Sequence, residues 1–273
     1  MKISQRIVAI RTILLVGGLV IVAVPFVWIL LTAFKFPVDA ASVPPEIFSP
    51  FTWRNFTQVF EGQYLQSVGN SVIITVGTTV ATLMFGVPAG YAIARGRFFG
   101  RRFLGGFLLF SRMVPPVIFI IPLFLFFHEL GLIDSFLGLI LAYLSGLLPF
   151  TIWLCASYFS DIPQELEDAA RVDGCSRSQA FLWVALPLAI PGVVTVAMLI
   201  AIAAWSEYFI PLLLAGPYTT PATVGLVNFI GVDTINWGAM AAAALVLAVP
   251  VFFVTLLAQR GLLRGLTAGA IKG

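Results

Sequence analysis

Apolar residues in this chain are collected into six long blocks, which short polar segments separate. The blocks show neither the alternation of a half-buried strand nor the heptad repeat of a coiled coil. Each is about 20 residues long, the length of helix that crosses about 30 Å of hydrocarbon, where an unpaired backbone cannot be satisfied by water. The pattern predicts an all-α, polytopic membrane protein with six transmembrane helices, over residues 12–33, 68–94, 104–127, 136–158, 188–214 and 239–258.

The composition indicates the same solvent. The chain has 273 residues, of which 60% are hydrophobic and only 10% are charged, whereas a soluble domain carries about 25% charged residues. So many apolar side chains cannot be buried inside one globule of this size, and we expect them to face membrane lipid. The net charge of +3 is spread along the flanks of the blocks, so it does not predict a surface for nucleic acid.

Basic residues fall unevenly on the two sides that six crossings define. Twelve of them lie before the first block or after the second, fourth and sixth: Lys2, Arg6, Arg11, Arg95, Arg97, Arg101, Arg102, Arg171, Arg177, Arg260, Arg264 and Lys272. Lys35 and Arg54 lie on the other side, and Arg112 lies within the third block. Because loops rich in Lys and Arg stay in the cytoplasm, we expect both termini there.

The loops divide the chain into three parts. Residues 1–66 hold the first transmembrane helix and a Pro- and aromatic-rich extracytoplasmic loop, residues 67–260 hold the membrane core, and residues 261–273 form a cytoplasmic tail. The first block is longer than a signal-peptide core and no convincing cleavage site follows it, so we expect it to be retained as an anchor. The outer loop at about 215–238 mixes polar and aromatic residues, which suits a sugar or protein contact and equally an ordinary membrane interface.

The longest cytoplasmic stretch, residues 160–187, is predicted to form two short helices around a glycine. Pro163 suits the first turn of the first helix, and Asp161 can cap it. Gly174 can adopt the left-handed conformation that ends such a helix. Ser176 followed by Gln179 predicts a capping box that opens the second helix, and Leu186-Pro187 is predicted to end it.

The first of these helices carries a ridge of small and apolar residues: Leu166, Ala169, Ala170 and Val172. Its polar neighbours are Glu167, Asp168 and Arg171. A helix that lies on lipid headgroups favours basic and large aromatic residues, whereas the first turn here is acidic. We therefore expect this helix to dock into a groove on another protein.

The same stretch resembles the EAA loop of ABC importer permeases, whose pattern is EAA, Gly, nine residues, then I-x-L-P. The matching residues are Glu167-Asp168-Ala169-Ala170, Asp173-Gly174 and, nine residues later, Val184-Ala185-Leu186-Pro187. Asp168 within the acidic-alanine run and Val184 in place of Ile are departures. Most of residues 20–273 is similar to the shorter permease of maltose-type carbohydrate importers, through Ala94-Arg95, Arg97-Phe98, Gly100-Arg101-Arg102, Arg112-Met113-Val114-Pro115-Pro116, Gly131-Leu132-Ile133, Trp205-Ser206-Glu207-Tyr208 and the ending from Arg264 to Gly273. Ser206 stands where that family often has Asn.

The resemblance implies a permease subunit in a bacterial inner membrane. Its partners would be a second permease subunit, two ATPase subunits, an extracytoplasmic solute-binding protein, a carbohydrate substrate and membrane lipid. The chain itself would be no enzyme and would bind no cofactor, since none of Lys2, Lys35 and Lys272 lies in a GxxxxGK[ST] phosphate loop. ATP and Mg would be used by the partner ATPase. The residues implied to couple to it are Glu167, Asp168, Ala169, Ala170, Arg171, Asp173, Gly174, Leu186 and Pro187.

Four residues are candidates for the translocation path: Arg112, Trp205, Glu207 and Tyr208. A charge such as that of Arg112 costs about 2.5–3.5 kcal/mol at the centre of a helix in lipid, so it needs a partner or water. Glu207 is the other charge placed well inside an apolar block, and the two could form a salt bridge. The salt bridge is the leading interpretation and contact with substrate is the alternative. Trp205 and Tyr208 could stack on a sugar ring or pack between helices.

Two other classes of function are weighed against import driven by ATP. An ion-coupled secondary transporter would need midplane carboxylates and internal repeats, but only Glu207 qualifies and no repeat is visible. An intramembrane enzyme would need a catalytic motif, and the blocks contain no HExxH and no nucleophile motif. Cys155, Cys175 and His128 have neither the spacing of a zinc site nor that of a disulfide framework.

Overall fold

A computed structural model describes residues 5–47, 49–111, 113, 115–231 and 234–270. Within these residues the regular structure is helical, apart from one antiparallel bridge between Ile230 and Ile235. The all-α class predicted from the apolar blocks is therefore confirmed.

Five helices in the described part of the chain are long and apolar enough to cross a membrane. They comprise α1 (Gln5–Ala33), α4 (Tyr64–Arg95), α7 (Phe136–Asp161), the continuous helix from Arg177 to Trp205, and α13 (Trp237–Ala270). Two short helices, α2 (Pro37–Ala40) and α3 (Arg54–Glu61), follow α1. Prolines inside the long helices are accommodated, since neighbouring helices can satisfy the backbone groups that they free.

The third apolar block differs from its prediction, because residues 104–127 do not form one helix. The structure has α5 (Arg101–Phe110) and α6 (Pro116–Glu129) instead. Pro115 and Pro116 lack the N–H groups that a continuous helix needs, and a proline also disfavours helical geometry at the residue before it. With 10 and 14 residues, the two helices rise about 15 and 21 Å, so neither alone has the length of a span.

The fifth block is also shifted from its predicted bounds. Its helix starts earlier, as α9 (Arg177–Ala180), continues through a π-helical turn (Phe181–Ala185) into α10 (Leu186–Trp205), and stops before the separate helix α11 (Phe209–Leu214). The prediction that Leu186-Pro187 ends a helix is wrong. The π turn widens the helix just ahead of Pro187, whose ring would clash with the carbonyl of Trp183 in a regular α-helix.

The chain divides into two compact units. The first contains Met1–Leu65 and Gly225–Val249, with α12 (Ala222–Gly225) and a 3-10 turn (Leu226–Phe229) at its edge. The loop that follows α1 is built on an aromatic cluster in which the ring centroids of Phe34 and Phe51 are 4.4 Å apart. The buried Asn55 side chain ties this loop down by donating to the carbonyls of Ala33 and Lys35, at 2.9 and 2.7 Å.

The second unit contains Gln66–Val224 and Pro250–Gly273, and its core is formed by α4, α7 and α10. A Cβ on Gly77 would lie 2.5 Å from Ile140 Cδ1, and one on Gly90 would lie 2.5 Å from Cys155 Cβ. Glycine is required at position 90, because that Cβ would also lie 2.9 Å from the backbone nitrogen of Ala156. At position 77 the obstacle is only the movable end of a side chain. Rising residue numbers in α4 meet rising numbers in α7, so the two helices run parallel. The connecting residues 96–135 must therefore return along their length.

Candidate functional site

The helix predicted after residue 160 is present as α8 (Gln164–Val172). It begins directly after Pro163, and its first turn contains Glu165 and Glu167, whose negative charge suits the N-terminal end of a helix dipole. The expectation that Asp161 caps it is wrong, because α7 extends to Asp161 and no side-chain cap is formed at Pro163. The turn between α7 and α8 is thereby reduced to Ile162 and Pro163.

The stop at Gly174 is confirmed in detail. Gly174 has a φ of +96°, the left-handed region that glycine adopts at little cost. The N–H of Gly174 donates to the Arg171 carbonyl at 3.2 Å, and that of Cys175 donates to the Ala170 carbonyl at 3.0 Å. These two bonds form a Schellman motif, which satisfies the last carbonyls of α8.

The capping box that opens the second helix is confirmed as well. Ser176 Oγ accepts from the Gln179 N–H at 3.3 Å, and Gln179 Oε1 accepts from the Ser176 N–H at 2.7 Å. The chain therefore turns sharply between α8 and α9, and both ends of α8 are defined by short, specific turns.

Glu167 points into the protein, which sequence reasoning did not anticipate. It is 4% exposed, its Oε1 accepts from Arg95 Nε at 2.7 Å, and its Oε2 accepts from the Tyr91 hydroxyl at 2.5 Å. Arg95 Nη2 also donates to the Ile162 carbonyl at 2.7 Å. The last turn of α4 is thus joined to α8 and to the turn that precedes it.

The opposite side of α8 is open. Leu166 is 46% exposed and Val172 is 87% exposed, and Ala169 and Asp168 are exposed beside them. The Asp168–Arg171 ion pair spans 3.7 Å between two half-exposed side chains, so it contributes little to stability. The predicted ridge of small and apolar residues is therefore accessible, with Ala170 partly buried at its edge.

A groove of about 750 Å³ runs between the end of α4 and the helices α8 and α9. It is lined by Tyr91, Ala92, Arg95, Gly96, Arg97, Phe98, Gln164, Glu167, Asp168, Arg171, Arg177 and Ala180. Its charges are mixed, with four arginines and two carboxylates. Such a lining suits a protein partner with charges of both signs.

A second polar cluster lies at the opposite end of α7 and was missed from the sequence. The Asp134 carboxylate accepts from the N–H groups of Gly216 and Thr219 at 3.0 Å each, from that of Tyr218 at 3.3 Å, and from the Thr219 hydroxyl at 2.7 Å. Burial raises the pKa of Asp134, but these hydrogen bonds outweigh it and hold the pKa below its usual value. Asn70 fixes the same loop by donating to the Tyr218 carbonyl at 3.1 Å.

Three of the four translocation-path candidates lie at the bend that follows α10: Trp205 is the last residue of α10, and Glu207 and Tyr208 lie between α10 and α11. Glu207 Oε1 accepts from the N–H groups of Tyr208, Phe209 and Ile210, at 3.0 to 3.3 Å, and so caps α11. Trp205 is 6% exposed and lines a cavity of about 40 Å³ together with Thr75 of α4. Arg112 lies outside the described residues. A role for these four in transport stays a prediction.

Side chains that could bind a metal lie apart in the described part of the chain. No group of three His, Cys, Asp or Glu side chains there is placed to hold a metal ion. Cys155 is buried and Cys175 is half-buried, and both are free thiols.

Known membrane transport proteins are similar to this chain in sequence. The sequence profile of the family described as binding-protein-dependent transport system inner membrane component matches residues 86–264. The trehalose transport system permease protein SugB of Mycobacterium tuberculosis is 38% identical over 253 residues, which cover 91% of this chain and 92% of the relative. The diacetylchitobiose uptake system permease protein DasC of Streptomyces coelicolor is 37% identical, with 91% of each chain covered.

A solved structure agrees with these sequence relatives. A chain of a bacterial ABC transporter involved in the import of the acidic polysaccharide alginate matches with a TM-score of 0.79 at 26% identity. The match covers 95% of this chain and 98% of that one.

Proposed function

The chain belongs to the family of binding-protein-dependent transport system inner membrane components, and we propose that it forms, with a second permease, the membrane path for an imported sugar. Its relatives are permease subunits of sugar uptake systems. The chain is accordingly a transport subunit of an ABC importer, multi-pass in the bacterial inner membrane, and not an enzyme. The ion-coupled alternative finds no support among these relatives.

The observation that carries the proposal is the form of α8. One side is anchored through Glu167, while the other offers exposed small and apolar residues on a helix of nine residues. Small side chains let another protein's backbone approach closely, so this face fits a groove on an ATPase subunit. We assign the coupling role to this face together with the turn at Gly174. Leu186 and Pro187 would contribute indirectly, by shaping the start of α10.

The course of the chain supports six crossings with both termini in the cytoplasm. Since α4 and α7 run parallel, their C-terminal ends lie on the same side, next to α8. In our proposal the chain between them recrosses the membrane as α5 and α6, a third span broken at Pro115-Pro116. The basic loops then lie on the inner side, as the distribution of Lys and Arg predicts.

The proposed transport cycle is alternating access. Two ATPase subunits, which would bind ATP and Mg, close on ATP and carry the docked α8 helices of both permeases with them. The path then opens toward an extracytoplasmic solute-binding protein that delivers the sugar, and hydrolysis resets it. The trehalose and diacetylchitobiose named for the relatives favour a small oligosaccharide or disaccharide as cargo.

A cross-linking experiment tests the docking. Ala169→Cys, in a chain with Cys155→Ala and Cys175→Ser, is labelled with a maleimide–benzophenone reagent in native membranes and is expected to cross-link to an ATPase subunit on irradiation. The excited benzophenone inserts into a nearby C–H bond, so the partner needs no cysteine. Val38→Cys, which replaces an 81% exposed residue of the predicted outer loop, serves as the accessible control and should yield no such product. A Val38→Cys product with the ATPase, or none from Ala169→Cys when the subunits co-purify, would rule out the docking.

A further inference from the structure

The contact between α8 and α4 contains a buried charged side chain. Among the acidic side chains that the structure describes, Glu167 is the one that is buried. Removing a carboxylate from water is costly unless it is paired and hydrogen-bonded, and here Arg95 and Tyr91 supply one donor to each oxygen. An ordinary docking helix would need no such group, because its exposed face alone could meet a partner.

The position of this anchor matters because both ends of α8 are turns. Before α8 lie Ile162 and Pro163, and after it lies the left-handed Gly174. A helix of nine residues between two such turns can tilt when a partner pushes on it. The bonds from Arg95 to Glu167 and to the Ile162 carbonyl, at 2.7 Å each, remove that freedom by fixing α8 and its entry turn to one side chain.

Glu167 contacts α4, a helix that extends into the membrane core. Tyr91 and Arg95 are one turn apart on α4, so they present one face. Farther along α4, Thr75 lines the same cavity as Trp205, a candidate for the translocation path. A displacement of α8 therefore moves α4 through these side-chain bonds. It also moves α7 and α9, which are joined to α8 through the backbone.

We infer that Glu167, held by Tyr91 and Arg95, is a positioning residue that transmits the movement of α8 to α4 and so couples ATP hydrolysis to sugar transport. This inference rests on the proposed function. It assigns Glu167 a role inside the permease, separate from the exposed face that meets the ATPase. The anchor acts by rigidity, since the carboxylate itself takes part in no chemical step.

The test measures transport and ATP hydrolysis separately in the complete transporter, reconstituted in vesicles with its ATPase, second permease and binding protein. In Glu167→Gln the side chain keeps its shape but loses its charge. The expected result is a fall of about tenfold in sugar taken up per ATP hydrolysed, because a hydrogen bond to a charged group is worth at least a factor of ten. ATP hydrolysis and the amount of assembled complex should change much less.

Glu165→Gln is the matched control, since it makes the same change at an exposed position of the same helix and should leave the ratio unaltered. Tyr91→Phe removes one of the two donors and is expected to lower the ratio by a smaller factor. If the three residues act as one unit, Arg95→Gln combined with Glu167→Gln should be no worse than the more damaging single change.

Two results would overturn the inference. One is an unaltered ratio in both Glu167→Gln and Tyr91→Phe. The other is a parallel loss of uptake, hydrolysis and assembled complex in both variants, which would make the anchor a folding element only. Failure of the unmodified chain to recruit an ATPase is a different outcome, because it would defeat the proposed function and this inference together.

Discussion

Gly174 shows how much one backbone angle can determine at the residue scale. Its φ is +96°, and a Cβ built on it would meet nothing within 4 Å. The demand for glycine is therefore conformational and not steric, since a left-handed residue other than glycine costs about 1–2 kcal/mol. Asn tolerates this region far better than a β-branched residue does.

Gly174→Val is consequently expected to distort the turn after α8 and to abolish transport, with less ATPase retained on the purified complex. Gly174→Asn at the same site should keep most of both. Membrane insertion should be equal in the two variants, and quantitative co-purification measures the retained ATPase. Equal retention by Val and Asn would show that the left-handed turn is not required.

A second prediction for a single residue concerns the stability that the Asp134 carboxylate contributes. Asp134→Asn replaces an oxygen by an NH₂ group that faces backbone N–H groups, so some of the donors of Gly216, Tyr218 and Thr219 lose their acceptor. We expect a loss of about 1–3 kcal/mol in the free energy of unfolding at pH 7. Thermal unfolding in detergent measures it, and the exposed Asp161→Asn is expected to shift stability by less than about 0.5 kcal/mol.

The difference in the free energy of unfolding between the parent chain and Asp134→Asn depends on pH, and its direction can be predicted. The pKa of Asp134 is lowered in the folded state, so its stabilising effect is fully present above the unfolded value of about 3.9 and is lost as pH falls through the lower folded value. The gap between the parent chain and Asp134→Asn should close in that acid range. A gap that stays constant down to pH 2 would contradict the assignment.

The sequence was sufficient to predict the turns on either side of Cys175, but not the buried contact of Glu167. The Schellman turn and the capping box follow from Gly174, Ser176 and Gln179, which act on near neighbours. Glu167 meets Tyr91 and Arg95 from 76 and 72 positions away, so no local pattern could reveal that it points inward. The available signal was weaker: two polar residues one turn apart at the C-terminal end of an apolar block, on the side where an acidic loop is predicted.

At the scale of elements, the length of an apolar block predicted helices more reliably than their ends. Five of the six blocks contain a long helix. Prolines determined where the third helix is broken and how the fifth one begins. Pro115 and Pro116 divide the third block into two helices, whereas the helix continues through Pro187 because a π-helical turn precedes it. Both sites contain proline in an apolar run, and the sequence does not distinguish them because the outcome depends on the packing of neighbouring helices.

The arrangement of the whole molecule gives a topology that can be tested. Phe99 and Leu130, at 107% and 54% exposure, lie just before α5 and just after α6. If these helices together form the third span, Phe99→Cys should react with a membrane-impermeant maleimide only in inverted vesicles. Leu130→Cys should react only in right-side-out spheroplasts. Labelling of both from one side would mean that α5 and α6 return without crossing.

The π-helical turn at Phe181–Ala185 has a consequence for how movement could pass along the chain. A π turn holds more residues than an α-helical turn, and it gives the ring of Pro187 room without ending the helix. Residues Arg177–Trp205 therefore form one unbroken helix. If α8 docks on an ATPase subunit as proposed, a push on α8 would reach the far end of α10 through a single rigid rod.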